Sequence, residues 1–191
     1  MLTRLKGAAE RVLDRVFGDR ISLDPNAITL LSLALSVSVT AAALLALPPL
    51  LAALLLLLSA SLDALDGYVA RRSGKVTKFG AFLDSTVDRV SDALHTYALH
   101  LYGVLELQAA YAMLALEFLV SYTRARAESL GINLGGVGLM ERGERVLAKT
   151  ASLAFLPASL AVARAIAYAL LALTAITVLQ RVSAVARGFS S

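Results

Sequence analysis

From Ala27 to Leu47 the chain carries no charged residue, and this run opens at Asp24-Pro25-Asn26, a helix-start signal. At 1.5 Å per residue, ~20 residues cross the hydrocarbon of a bilayer, so the run reads as a first membrane span. Five further apolar segments follow at similar length: about Leu50–Val69, Phe79–Tyr102, Leu107–Thr123, Val146–Ala163 and Ala165–Gln180. Pro48-Pro49 turns the first pair, short turns hold Gly103 with Glu106, and another surrounds Arg164. With 58% hydrophobic and only 17% charged residues, the chain lacks the polar surface of a soluble domain. The expected fold is therefore an all-α integral membrane bundle of six spans. An amphipathic juxtamembrane helix over residues 1–20 precedes a single six-span domain over 21–191.

In the arm, Leu2, Leu5, Ala9, Val12, Leu13, Val16 and Phe17 recur at helical spacing, with no uninterrupted apolar core for a cleavable signal. Such a helix either lies in the headgroup plane or packs on the protein's own loops. Lys and Arg gather in the arm, after the second and fourth spans, and in the tail, which puts both termini on the cytoplasmic side of the cell membrane. The +4 net charge suits anionic headgroups better than nucleic acid in so apolar a chain. The absence of Cys excludes disulfides, thiolate catalysis and iron–sulfur clusters, and two His cannot by themselves build a zinc centre.

Acids stand where lipid-facing residues would otherwise be. Asp63 and Asp66 lie near the cytoplasmic end of the second span, and Asp84, Asp88 and Asp92 in the cytoplasmic half of the third. An ionised Asp in a spanning helix costs ~2.5–3.5 kcal/mol on insertion scales, so such residues face the interior and serve a function. The spacings i, i+3 and i, i+4 place each pair on one helix face, and a loop of roughly ten residues lets the two faces meet. Four converging carboxylates call for cations, and an all-oxygen donor set suits magnesium or manganese. Two carboxylate-bridged divalent ions form a clamp for phosphoryl transfer. The plainer alternative pairs each Asp with Arg71, Arg72 or Arg89. Gly67, Ala70 and Gly80 leave room beside the acids for a bulky ligand to approach the backbone.

Together these residues read Asp63-x2-Asp66-Gly67-x2-Ala70-Arg71-x8-Gly80-x3-Asp84-x3-Asp88. The pattern resembles the complete signature of the CDP-alcohol phosphatidyltransferases, and Pro25-Asn26-x2-Thr29 at the first span is also similar to that family. The resemblance implies that an acceptor hydroxyl attacks the lipid-bearing phosphorus of a CDP-lipid and releases CMP. It implies two Mg2+ ions on Asp63, Asp66, Asp84 and Asp88, with Mn2+ as a substitute, and Asp88 as general base. It assigns Asn26, Thr29, Gly67, Arg71 and Gly80 to the CDP-lipid, and it implies a homodimer, although no dimer seam is legible.

The acceptor is read from cations on the same side: Arg124, Arg126, Arg142 and Arg145, with Arg181 placed to converge on them. Arginine suits bidentate phosphate recognition, which favours a phosphorylated polyol over serine, choline or ethanolamine. Positive-inside anchoring, with Glu128, Glu141 and Glu144 as local partners, is the alternative. The RARAE and ERGER segments resemble the branch of the family that uses inositol phosphate, the phosphatidylinositol phosphate and archaetidylinositol phosphate synthases. Glycerol 3-phosphate is the nearest rival acceptor. Only four Asn and Gln residues and no Cys lean toward a thermophile and CDP-archaeol rather than CDP-diacylglycerol. A cation transporter is the rival of another class, though its acids would be spread along the bundle or placed at broken helices.

Other polar residues read as support. His95 is expected buried and hydrogen-bonded, Asp92 is expected to back the acidic cluster, and Glu117 with Lys149 would neutralise each other across two spans. Glycines 131, 135, 136 and 138 form a flexible connection without the Lys-Ser/Thr ending of a nucleoside-triphosphate loop.

Overall fold

A computed structural model of the chain describes residues 24–188, so the expected N-terminal amphipathic helix lies outside the described residues. The described residues form six helices and no strand: α1 (Pro25–Leu44), α2 (Pro49–Arg72), α3 (Lys78–Leu101), α4 (Leu107–Ser129), α5 (Arg142–Phe155) and α6 (Leu160–Gly188). Helices α1, α2 and α6 are long and apolar enough to cross a bilayer. The 24 residues of α3 and 23 of α4 have the length but also carry charges, while the 14 of α5 extend only roughly 21 Å.

Each boundary has a local cause. Asp24 caps α1 by accepting from the Asn26 amide at 3.1 Å, and Thr77 caps α3 by accepting from the Gly80 amide at 2.9 Å. At the end of α2, Gly74 adopts φ +66° and the Lys75 amide bonds back to the Ala70 carbonyl at 3.0 Å. This is a left-handed helix stop that a side chain would strain, and it folds α3 back along α2.

Two expectations are corrected. The break between the last two helices falls at Leu156–Ser159, not around Arg164. Pro157 supplies no amide and its ring crowds the carbonyl one turn back, so α5 cannot run on to Ala163. Arg164 is instead helical and donates to the Gly103 carbonyl at 3.0 Å, tying α6 to the α3–α4 turn. The fourth helix, expected to end near Thr123, runs on through RARAES to Ser129.

Helix α1 packs on α2 and α3, α4 and α5 pack on α6, and the two groups join where α2 meets α5 and where α3 meets α4 and α5. Alanines 42, 43, 52, 53 and 98 sit in the shared core with Val39, Leu56 and Leu99, and small residues of this kind let helix backbones approach closely. A buried polar knot fixes the first group. Ser36 lies 2.8 Å from Ser59, 2.9 Å from Ser91 and 3.1 Å from His95 Nε2, so His95 is buried and bonded as expected. Outward, Leu54, Leu58, Tyr111 and Leu179 are more than half exposed, an apolar surface suited to lipid.

Candidate active site

The helices alternate in direction, so the starts of α1, α3 and α5 lie at the same end of the bundle as the ends of α2, α4 and α6. Every residue singled out from the sequence as a site residue is carried at that end. Asp63 and Asp66 come from the last turns of α2 and Asp84 from the second turn of α3. One carboxylate oxygen of each lies within 4.8 Å of those of the other two.

Asp88, one turn further along α3, is not in this tight triad. Its Oδ1 lies 2.7 Å from Nη1 of Arg142, and that same nitrogen donates to Asp63 Oδ2. The outer guanidinium thus straddles the second and third helices. Thr29 of α1 closes the other side, its hydroxyl 2.5 Å from Asp66 Oδ2.

This donor set fits a divalent cation. It consists of hard oxygen atoms that converge from two helices, and Asp63 Oδ1 is buried with no hydrogen-bond partner. Asp66 and Asp84 face other acids and make no ion pair among the described residues. Arg142, through Asp63, is the one cation paired with this triad among the described residues, and three acids sharing one counter-charge are costly to keep unless a ligand supplies more.

Three cavities share these acids as walls. The first, about 160 Å³, lies between the starts of α1 and α3 and holds all five residues expected to meet the CDP-lipid: Asn26, Thr29, Gly67, Arg71 and Gly80. Two helix N-termini open onto it, a favourable setting for phosphate. Gly80 matters for closeness, because a Cβ there would stand 3.0 Å from Thr77 Oγ1 and 3.2 Å from Asn26 Oδ1. Lys75 and Thr77 line the same cavity and were not singled out from the sequence; the helix-capping position of Thr77 was the available signal.

The second cavity, about 520 Å³, runs from Asp63, Asp66, Asp84 and Asp88 past Arg142 to Leu57, Ala60, Val146 and Leu147. It is polar at one end and apolar where it opens between α2 and α5. The third, about 260 Å³, is basic: Arg89, Arg124, Arg142, Arg145 and Arg181 line it, with Asp88 and Glu141. Asp88, Arg142 and Gly143 border both the second and the third cavity.

Overall 23–182 of the chain matches the sequence pattern of the CDP-alcohol phosphatidyltransferases, and that span contains every acid of the cluster. The chain belongs to the CDP-alcohol phosphatidyltransferase family. Among curated relatives of this family, it is 46% identical over 165 residues to the archaetidylinositol phosphate synthase of Aeropyrum pernix, covering 86% of this chain and 84% of that one. It is 37% identical over 149 residues to the Pyrococcus horikoshii archaetidylinositol phosphate synthase, covering 77% and 79%. The phosphatidylinositol phosphate synthase of Mycobacterium tuberculosis with CDP-DAG bound superposes with TM-score 0.70 at 30% identity, covering 95% of this chain and 94% of that one. The same enzyme in complex with manganese and citrate gives TM-score 0.71, covering 94% and 88%.

Within this transferase the expected acceptor arginines divide. Arg124 reaches the basic cavity while its Nε donates to Glu128 at 2.8 Å, so one local carboxylate does accompany it. Arg181 is buried, donating to the Val137 and Val120 carbonyls at 2.9 and 2.5 Å, and makes no ion pair among the described residues. Arg145 is also buried, with its charge engaged by Asp92 at 3.1 Å and Glu117 at 3.4 Å. Arg126 does not line the cavity. Two residues along a helix is about 200° of rotation, so it leaves on another face and sits 3.4 Å from Ser129 Oγ.

Proposed function

We propose that this membrane transferase moves the lipid phosphoryl group of a CDP-lipid, CDP-archaeol or CDP-diacylglycerol, onto a hydroxyl of inositol phosphate, releasing CMP. The carrying observation is the arrangement of three adjoining cavities: one between two helix N-termini, an acidic one and a basic one, joined through Asp66, Asp84, Asp88 and Arg142. The names of the relatives support inositol phosphate as acceptor, and those of the solved neighbours support a CDP-lipid donor.

Asn26, Thr29, Gly67, Arg71 and Gly80 hold the cytidine nucleotide. The lipid chains leave along the apolar end of the second cavity, between Leu57 and Leu147. Asp63, Asp66, Asp84 and Asp88 hold two Mg2+ ions, with Mn2+ able to replace them; a manganese complex is known for a solved neighbour. Bound there, the ions neutralise the pyrophosphate and stabilise CMP as it leaves. Arg124, Arg142 and Arg181 take the acceptor phosphate, and Arg145 forms the floor beneath them.

Asp88 accepts the proton of the attacking hydroxyl. Its support is position: it borders both the acidic cavity and the basic one, where a base between acceptor and phosphorus must stand. Positioning and charge neutralisation carry most of the acceleration in such a displacement at phosphorus. All six helices lie in the cell membrane with the site at the cytoplasmic face, and the protein works as a homodimer. The arginine-rich end of the bundle supports this orientation.

The test is a CMP-release assay on purified protein in lipid nanodiscs with CDP-lipid and Mg2+. Inositol phosphate should give CMP and a phosphoinositol lipid in equal amounts. Release only with glycerol 3-phosphate would move the protein to the rival acceptor, and release with neither would overturn the transferase reading.

A further inference from the structure

Beyond the acidic cluster, the bundle encloses a second set of charges. Arg142, Arg145 and Lys149 recur at i, i+3 and i+7, so they form one stripe along α5. Opposite them stand Asp88 and Asp92 on α3 and Glu117 on α4. Asp92 and Arg145 pair at 3.1 Å, Arg145 and Glu117 at 3.4 Å, and Glu117 and Lys149 at 2.8 Å. Lys149 also donates to the Asp92 carbonyl at 3.1 Å, and Thr96 donates to Glu117 at 2.9 Å. All four inner residues are at most 1% exposed.

Two acids and two bases make this inner set neutral, so Arg142 is not required to balance it. Arg142 is the outermost rung, reaching Asp92 at 3.7 Å as well as Asp63 and Asp88. Stability alone does not account for such a ladder, because well-packed apolar residues replace a buried ion pair at little or no loss. A ladder of this kind does fix register, since each rung pairs only at one height and one rotation of α5. That helix needs fixing: it is the shortest of the six, and its N-cap residue Glu141 makes no side-chain cap. A slip of one residue along the axis moves its first residue about 1.5 Å, enough to part Arg142 from Asp88.

We propose that Asp92, Glu117 and Lys149 are positioning residues: they clamp α5 between α3 and α4 so that Arg142 is held at the border of the acidic and basic cavities, and they thereby set affinity for the phosphorylated acceptor. This inference rests on the reading of the basic cavity as the acceptor site. It assigns an effect on acceptor affinity to side chains that touch neither substrate nor the reacting atoms.

The test uses full-length protein in nanodiscs and the double variant Glu117→Gln with Lys149→Met, which removes both charges of one rung together. Expected are a rise of at least ten-fold in KM for inositol phosphate, a KM for CDP-lipid within two-fold of the unaltered protein, and a single cooperative thermal transition. Thr96→Val is the milder variant should the double one not fold, with a two- to five-fold rise in acceptor KM expected. Unchanged acceptor KM in a folded variant, or equal rises in both KM values, would overturn the proposal. If the unaltered protein uses glycerol 3-phosphate instead, the function proposed above fails, and the same comparison of KM values made with that acceptor still decides the role of the ladder.

Discussion

Asp84 and Asp92 are two turns apart on one helix and differ in almost every physical respect. Asp84 is half-buried, faces Asp63 and Asp66 and lines two cavities, with no ion pair among the described residues. Asp92 is 1% exposed, is paired with Arg145 and lines none of the three cavities of the site. An acid that is left without counter-charge beside a cavity is kept for a ligand; an acid neutralised inside the bundle is kept for geometry. Arg142 stands on the border between the two regions, touching Asp63 and Asp88 on one side and Asp92 on the other.

The largest separation should appear in turnover. Asp84→Asn is expected to lower kcat by ~1,000-fold or more, the effect of removing one of the carboxylates proposed to hold the metal. Its thermal transition should be unchanged or raised, since a like-charge contact with Asp63 and Asp66 is relieved. Chelation of divalent ions should likewise abolish CMP release while helical circular dichroism persists, and Mn2+ should restore activity.

The inner region should respond the other way. Lys149→Met alone leaves Glu117 buried with less counter-charge, which costs ~3–5 kcal/mol. A fall in Tm of roughly 10 °C is expected, measured by a thermal scan in nanodiscs. Should Lys149→Met match the unaltered protein in Tm while Asp84→Asn unfolds, the contrast drawn between these regions would be reversed.

Smaller effects sharpen the division among the cavities. Arg124→Ala should raise the KM for inositol phosphate by about ten-fold, as expected for the loss of a charged hydrogen bond, and leave the KM for CDP-lipid unaltered. Gly80→Ala should do the converse, raising the KM for CDP-lipid by roughly five-fold through crowding of Asn26 and Thr77. Steady-state kinetics with each substrate varied in turn checks both.

Much of this division was legible in the residues themselves. Charge within apolar helices marks the site because water is absent there, and the i, i+3 and i, i+4 spacings fix which face each acid takes. The two faces then meet because Gly74 stops α2 in a turn that folds α3 back. The five residues that the motif assigns to the CDP-lipid line one cavity, and the Glu117–Lys149 pair forms as the hydropathy of its surroundings requires. Less legible was which arginine does what. Chain position puts Arg126, Arg142 and Arg145 alike at one end of the bundle, whereas rotation about the helix axis sends Arg126 away, and only tertiary packing shows that Arg145 is enclosed by two acids. The α5–α6 break is legible only from Pro157, which cannot continue a helix, whereas the charge of Arg164 suggests a boundary that the helix runs through.

Manganese binding followed by electron paramagnetic resonance bears most directly on the central claim, since it counts ions without requiring turnover. In the presence of CDP-lipid, the unaltered protein should sequester two Mn2+ per chain, and the Glu117→Gln, Lys149→Met double variant should do the same. Asp84→Asn should lose this binding. Equal Mn2+ uptake by Asp84→Asn and the unaltered protein would contradict the assignment of the Asp63, Asp66, Asp84 and Asp88 carboxylates as the metal site.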